Sequence, residues 1–215
     1  MTLSRDIPLV PDQSALLFID VQNFGAERKG GEYADADPAH FDAKYGWFFS
    51  HFEGHVLPNM QRLRGACRRA GIEVMYTTIE SLTRDGRDRS LDYKITGFNV
   101  PKGSWDAKVI DALAPTDDEI VIPKTSSSVF ISTNIDYVLR NLGVRQLVIS
   151  GLLTDQCVDS AVRDACDMGY LVTVVTDACA THSAERHAAS LRLNRGYCRQ
   201  VTTDQLLSEL DETAL

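Results

Sequence analysis

Three shortages narrow what this chain does. No apolar run approaches the roughly 20 residues that a membrane-spanning helix requires. The opening MTLSRDIPLVPDQS also holds no apolar export segment. A cytoplasmic protein with no membrane partner is therefore expected. Positive charge is in deficit, with 22 Lys and Arg against 30 Asp and Glu and a net charge of −8. That balance argues against a nucleic-acid partner, whose footprint would be a basic patch. Arg62, Arg64, Arg68 and Arg69 make only a local cluster, expected on the solvated face of a helix. Cysteine is sparse and unpaired: Cys67, Cys157, Cys166, Cys179 and Cys198 are odd in number and widely spread, with no CxxC. This is neither a disulfide framework nor a zinc-ligand pattern. Free cysteines are mostly buried, small apolar residues, so one with another role has to be recognised by its surroundings.

What is present is an alternation. Short β-branched runs at Ala15–Asp20, Ile72–Thr78, Glu119–Pro123, Gln146–Ser150, Leu171–Thr176 and Arg199–Thr202 read as strands. Helical patterns fall between them, at about 56–70, 105–113, 132–142, 156–168, 184–195 and 203–211. Gly71, Gly143, Gly169 and Gly196 follow helices, where a left-handed cap favours glycine. Strands that are apolar throughout imply burial on both faces. The pattern predicts a single domain over residues 1–215, an α/β/α sandwich around a six-stranded, mainly parallel sheet. Ligands in such folds bind outside the carboxyl ends of the strands. Residues 24–55 show no clear element, yet hold eight of the 17 aromatics. Long irregular segments of this kind are usually lids or binding loops, so a lid or a subunit contact is expected.

Reactive side chains gather at strand ends. The first strand ends in Asp20, the third runs into Lys124, and the fourth leads through SGLLTDQ to Cys157 at the start of a helical pattern. A helix N-terminus and a nearby lysine both favour a thiolate, and backbone N–H groups there can hold an oxyanion. An acid beside them can take the thiol proton and return it to a departing amine.

This constellation resembles the isochorismatase-like cysteine hydrolases. The resemblance runs from about residue 14 to 203 and rests on LLFIDVQNFGA, IPKTSSSVF, SGLLTDQCVDSAVRDACDMGY and VVTDACAT. It implies a catalytic triad of Asp20, Lys124 and Cys157. It further implies a non-proline cis peptide at Leu152–Leu153 that turns the Leu153 N–H toward the oxyanion beside the Cys157 N–H. Aryl-carrier isochorismatases have no nucleophilic cysteine, so Cys157 points to amide cleavage through an acyl-enzyme. Nicotinamidases of the family carry a metal site with histidines after the second strand. The stretch YTTIESLTRDGRD has none, and His51 and His55 lie in the aromatic segment, so neither metal nor other cofactor is expected.

Polar groups near the strand ends suggest a small substrate rich in N–H and carbonyl groups. Gln22, Asn23, Phe24, Glu80, Phe130 and Gln156 are the candidate binding residues, with Tyr93 and Trp105 as further walls. His182 and His187 are read as structural. The resemblance then leans toward the ureide and carbamoyl branch, which includes ureidoacrylate amidohydrolase, biuret and triuret hydrolases and N-carbamoylsarcosine amidase. The family implies a homo-oligomer, a dimer or tetramer. Other readings stay open: an amidase of a larger amide or lactam, a nicotinamidase-like enzyme, a redox thiol, and a silent binding or assembly subunit of the same fold.

Overall fold

The computed structural model describes residues 4–213. Six strands, β1 (Ser14–Ile19), β2 (Glu73–Ile79), β3 (Ile120–Lys124), β4 (Gln146–Leu152), β5 (Leu171–Ala180) and β6 (Arg199–Val201), form one sheet in the order β3-β2-β1-β4-β5-β6. Every pairing is parallel, so the sheet is wholly rather than mainly parallel. β1 and β4 lie at its centre and are buried along their whole length, as their unbroken apolar runs require. β3 is an edge strand, which is why it tolerates Pro123.

The helices are α1 (Asn23–Ala26), α2 (Phe41–His51), α3 (Leu57–Arg69), α4 (Leu91–Thr96), α5 (Val129–Ser132), α6 (Ile135–Asn141), α7 (Asp159–Asp167), α8 (Ala184–Asn194) and α9 (Thr203–Thr213). Alternation along β1 splits the core between the two faces of the sheet. Leu16 and Phe18 pack with Phe48, Met60, Leu63 and Leu206 from α2, α3 and α9. Ala15, Leu17 and Ile19 pack with Leu139, Ala161 and Val162 from α6 and α7. The result is a three-layer α/β/α sandwich in which the strand order reverses direction between β1 and β4.

Three local expectations need correction. Residues 24–55 are largely helical, because α2 runs through a wide turn at Phe52–Val56 directly into α3. Phe48, Phe49 and Phe52 are buried in the core, and Tyr33 meets Phe41, Tyr45 and Phe49 ring to ring. The apolar period was hidden because this helix buries aromatics over a wide arc. His51 and His55 accordingly sit on a helix, with ring centroids 5.7 Å apart. No helix forms over 105–113; only a single turn at Asp111–Leu113 remains. Its backbone is used elsewhere, since the carbonyls of Lys108 and Asp106 accept from the N–H groups of Asn23 and Phe24. Among the glycines, Gly71, Gly143 and Gly169 have the expected positive φ, whereas Gly196 does not.

Gly151 is fixed by space as well as by φ. A Cβ there would lie 2.2 Å from the Ile19 carbonyl oxygen. Only glycine lets β4 press against β1 at the point where Asp20 and Cys157 leave the sheet.

Candidate active site

The reversal between β1 and β4 brings three predicted side chains together. Asp20 follows β1 in a left-handed conformation, φ 52°, and its Oδ1 accepts from the Thr77 hydroxyl at 2.8 Å. Thr77 lies beside Ile19 in the register of β2 against β1. Lys124, the last residue of β3, is fully buried and reaches across the end of β2. Its Nζ lies 2.8 Å from Asp20 Oδ2, an approach off the ideal hydrogen-bond direction and so chiefly a charge contact. The same ammonium donates to the Ser126 carbonyl at 2.9 Å and to Cys157 Sγ at 3.4 Å.

Cys157 sits in a wide helical turn, Thr154–Val158, that precedes α7. This turn is tied to α8: the Ser190 hydroxyl donates to the Thr154 carbonyl at 3.0 Å, and Thr154 Oγ1 meets His187 Nδ1 at 2.9 Å. Arg186 and Thr181 hold Asp155 at 2.6 and 2.5 Å. The Leu152–Leu153 peptide just before the turn is cis.

The electrostatics differ from the expected thiolate. Burial pushes the Cys157 thiol up to about 12; Lys124 opposes this, and the Asp20 charge reinforces it. Desolvation of the anion therefore outweighs the lysine and favours the neutral thiol. For Lys124 the balance is reversed. Burial alone would remove its proton, but the charge of Asp20, with Cys157 and Tyr93, holds its pKa above the ordinary value.

A cavity of about 320 Å³ opens above Cys157. Asp20, Leu152, Leu153 and Cys157 form its floor, Phe24, Ile79, Tyr93 and Phe98 its apolar walls, and Gly25, Glu32, Asp92, Thr96, Ser127 and Gln156 complete the lining. Of the predicted binding residues, Phe24 and Gln156 line it. Gln22 also reaches it, but its amide is spent on the backbone of Ile79 and Asp106. Asn23, Glu80 and Phe130 do not line it. Asn23 donates to the Trp105 carbonyl, and Phe130 packs against Tyr170. Glu80 turns away to accept from the Gly103 N–H at 2.7 Å. A chain leaving the end of β2 sends alternate side chains to opposite sides, and Glu80 falls on the wrong one.

Thr77 and Glu32 escaped the sequence reading, and Tyr93 and His182 have partners it did not give them. Tyr93, expected only as a wall, places its hydroxyl 3.4 Å from Lys124 Nζ and 3.8 Å from Cys157 Sγ. Thr77 was legible in principle as a hydroxyl at the end of the strand beside β1. Glu32 and its neighbour His182 come from segments remote in sequence, and no local signal marks them.

A family model for the isochorismatase domain matches residues 14–205. The chain belongs to the isochorismatase family. Two curated relatives are ureidoacrylate amidohydrolases RutB, from Rhizobium rhizogenes and Agrobacterium fabrum. Each is 32% identical over 188 residues, spanning 80% of this chain and 72% and 78% of the relatives. A cysteine hydrolase from Pseudomonas syringae pv. phaseolicola shares the fold with a TM-score of 0.81 at 23% identity, over 96% of both chains. N-carbamoylsarcosine amidase from Thermoplasma acidophilum has a TM-score of 0.65 at 25% identity, covering 89% of this chain and 97% of its own. The isochorismatase-family sheet is thus carried here with its strand ends converging on one thiol, one carboxylate and one ammonium.

Proposed function

We propose that this isochorismatase-family chain is a cysteine-dependent amidohydrolase. It cleaves a C–N bond of a small ureide or carbamoyl-type amide, with Asp20, Lys124 and Cys157 as its catalytic residues. The observation that carries this reading is the single buried ammonium of Lys124. It spans the Asp20 carboxylate and the Cys157 sulfur at the floor of an open cavity. The names of the curated relatives and of N-carbamoylsarcosine amidase support a ureide or carbamoyl group as the part of the substrate that is cleaved.

In this reading Asp20 takes the thiol proton as Cys157 Sγ forms a bond to the substrate carbonyl carbon. The N–H groups of Leu153 and Cys157 receive the developing oxyanion. Asp20 then hands its proton to the leaving nitrogen, the C–N bond breaks, and ammonia or an amine departs from a thioester. Water then adds to the thioester carbonyl as Asp20 accepts its proton; the C–S bond breaks, Asp20 returns the proton to sulfur, and the acid product leaves. A neutral resting thiol suits this sequence, because the sulfur ionises only as it attacks. Lys124 faces both the Asp20 carboxyl and the sulfur through these steps. A cavity of about 320 Å³ lies at the small end of ligand sites, which favours a ureide over a larger amide or lactam.

The reading includes no metal or other cofactor, a cytoplasmic location and a homo-oligomer. Trp47, exposed on α2, is a candidate contact, and sedimentation would give the assembly state. The activity is tested by ammonia release from biuret, triuret, ureidoacrylate, N-carbamoylsarcosine, nicotinamide and an aliphatic amide, each run with Cys157→Ala and with a chelator. Turnover of a ureide that is lost in the variant and indifferent to chelator is expected. Turnover of nicotinamide alone would refute the ureide assignment.

A further inference from the structure

The charges around the cavity are unequal from floor to mouth. At the floor Asp20 and Lys124 face each other and cancel. On the wall stands Glu32, held in the turn Gly31–Tyr33. That turn is pinned by the Gly31 N–H donating to Asp106 Oδ1 at 3.0 Å and by the Tyr33 hydroxyl donating to the Gly25 carbonyl at 2.8 Å. The Glu32 carboxylate fills the space a side chain at position 25 would take: a Cβ on Gly25 would lie 2.5 Å from its Oε2. Its nearest ionic partner is His182, whose Nε2 lies 3.3 Å from Oε1 without hydrogen-bond alignment. Asp92, exposed on α4, adds a second carboxylate at the rim. Among the described residues, no Lys or Arg pairs with Glu32 or Asp92, and no Lys, Arg or His side chain lines the cavity.

We infer that the cavity selects by charge: Glu32, assisted by Asp92, admits neutral or cationic amides and rejects those bearing a carboxylate. The inference rests on the reading of this cavity as an amidase site and narrows its substrate class. Carboxylates lining a partly enclosed, low-dielectric cavity repel an anion and attract N–H donors. The bound molecule has its scissile carbonyl over Cys157 and directs amide, amino or ammonium hydrogens at Glu32. Phe24, Phe98 and Tyr93 cover the part between. Biuret-like ureides fit this description, and a ureide ending in a carboxylate does not. Glu32 acts here as a specificity-determining residue rather than a catalytic one.

The test reads charge at the sulfur without requiring turnover. Cys157 is modified with two size-matched methanethiosulfonates, 2-sulfonatoethyl (anionic) and 2-(trimethylammonio)ethyl (cationic), and with the neutral methyl reagent. Each rate is followed by mass spectrometry of the Cys157 peptide and divided by the rate with 2-mercaptoethanol. The cationic reagent is expected to outrun the anionic one by roughly tenfold or more. That ratio should fall at least about threefold in Glu32→Gln and by less in Asp92→Asn, whose exposed site makes misfolding an unlikely confounder. An unchanged ratio in Glu32→Gln would overturn the inference, as would an anionic reagent as fast as the cationic one. Failure of all three reagents to reach Cys157 would overturn it too, since the cavity would not then lead to the sulfur. Charge selection without turnover of any amide would sink the amidase reading alone.

Discussion

Two cysteines in this molecule are both buried and differ in their neighbours. Cys157 lies under the cavity at the end of β4, and Cys179 lies inside β5, paired in register with Gly151. Burial pushes both thiols up to about 12. Around Cys179 the named influences are a backbone hydrogen bond from Gly151 and more distant charges. Around Cys157 stand an ammonium at 3.4 Å, a carboxylate and a tyrosine hydroxyl. A raised thiol pKa therefore does not separate a packing cysteine from a nucleophile. In the proposed mechanism, the neighbours able to take the proton and stabilise the anion separate them instead.

The comparison breaks most sharply on substitution. Cys157→Ala is expected to lower kcat by about 10⁶-fold, the scale for loss of a nucleophile. Cys179→Ala should leave kcat within about twofold and cost on the order of 1 kcal/mol of stability, read by urea melts. A large loss of activity in the second variant would show that burial, not partnership, sets the role.

Asp20→Asn should cost about 10²–10⁴-fold in kcat, the range of general acid–base catalysis. Lys124→Met should do comparable damage to activity. It should also destabilise the fold by about 3–5 kcal/mol, because it leaves a buried carboxylate without its counter-charge. Stability of Lys124→Met within 1 kcal/mol of the parent would mean that the pair is not coupled as its 2.8 Å contact implies. Tyr93→Phe should have a smaller effect, about tenfold or less in kcat, since its hydroxyl is a peripheral partner of the sulfur at 3.8 Å.

The smallest effect is on pH dependence, where the two cysteines should behave alike. Their thiols rise from an ordinary 9.0 to about 12, so between those values the folded chain holds protons that the unfolded chain has released. Stability from this source is fully present below pH 9 and falls as pH climbs toward 12. Urea midpoints measured from pH 8 to 11 should decline, and less steeply when either cysteine is replaced by alanine. A thiolate absorbance that appears near neutral pH and vanishes in Cys157→Ala would contradict the neutral resting thiol.

The acids near the cavity mark the limit of what could be read without the fold. Glu80 follows β2 directly, where a strand-end rule places functional side chains, yet it binds the Gly103 N–H instead. Glu32 reaches the cavity from a turn bearing no motif. The aromatic segment was conspicuous by composition but not by period, and its helix emerged only where Phe48, Phe49 and Phe52 met the core.

The sequence by itself determined the strands, a mainly parallel sheet and the placement of Asp20, Lys124 and Cys157 at or after strand ends, because strand periodicity and strand ends are local properties of the chain. That the three form one site was implied only by the family resemblance. The family's motifs lie on those same ends. The tertiary structure alone decided the desolvation of the thiol, the service of Gln22 and Asn23 as scaffold, the entry of Glu32 into the site and the approach of the Tyr93 hydroxyl to Lys124 and Cys157. Those outcomes depend on desolvation and on backbone groups distant in the chain that are satisfied only when the layers close. No local pattern of residues encodes either one.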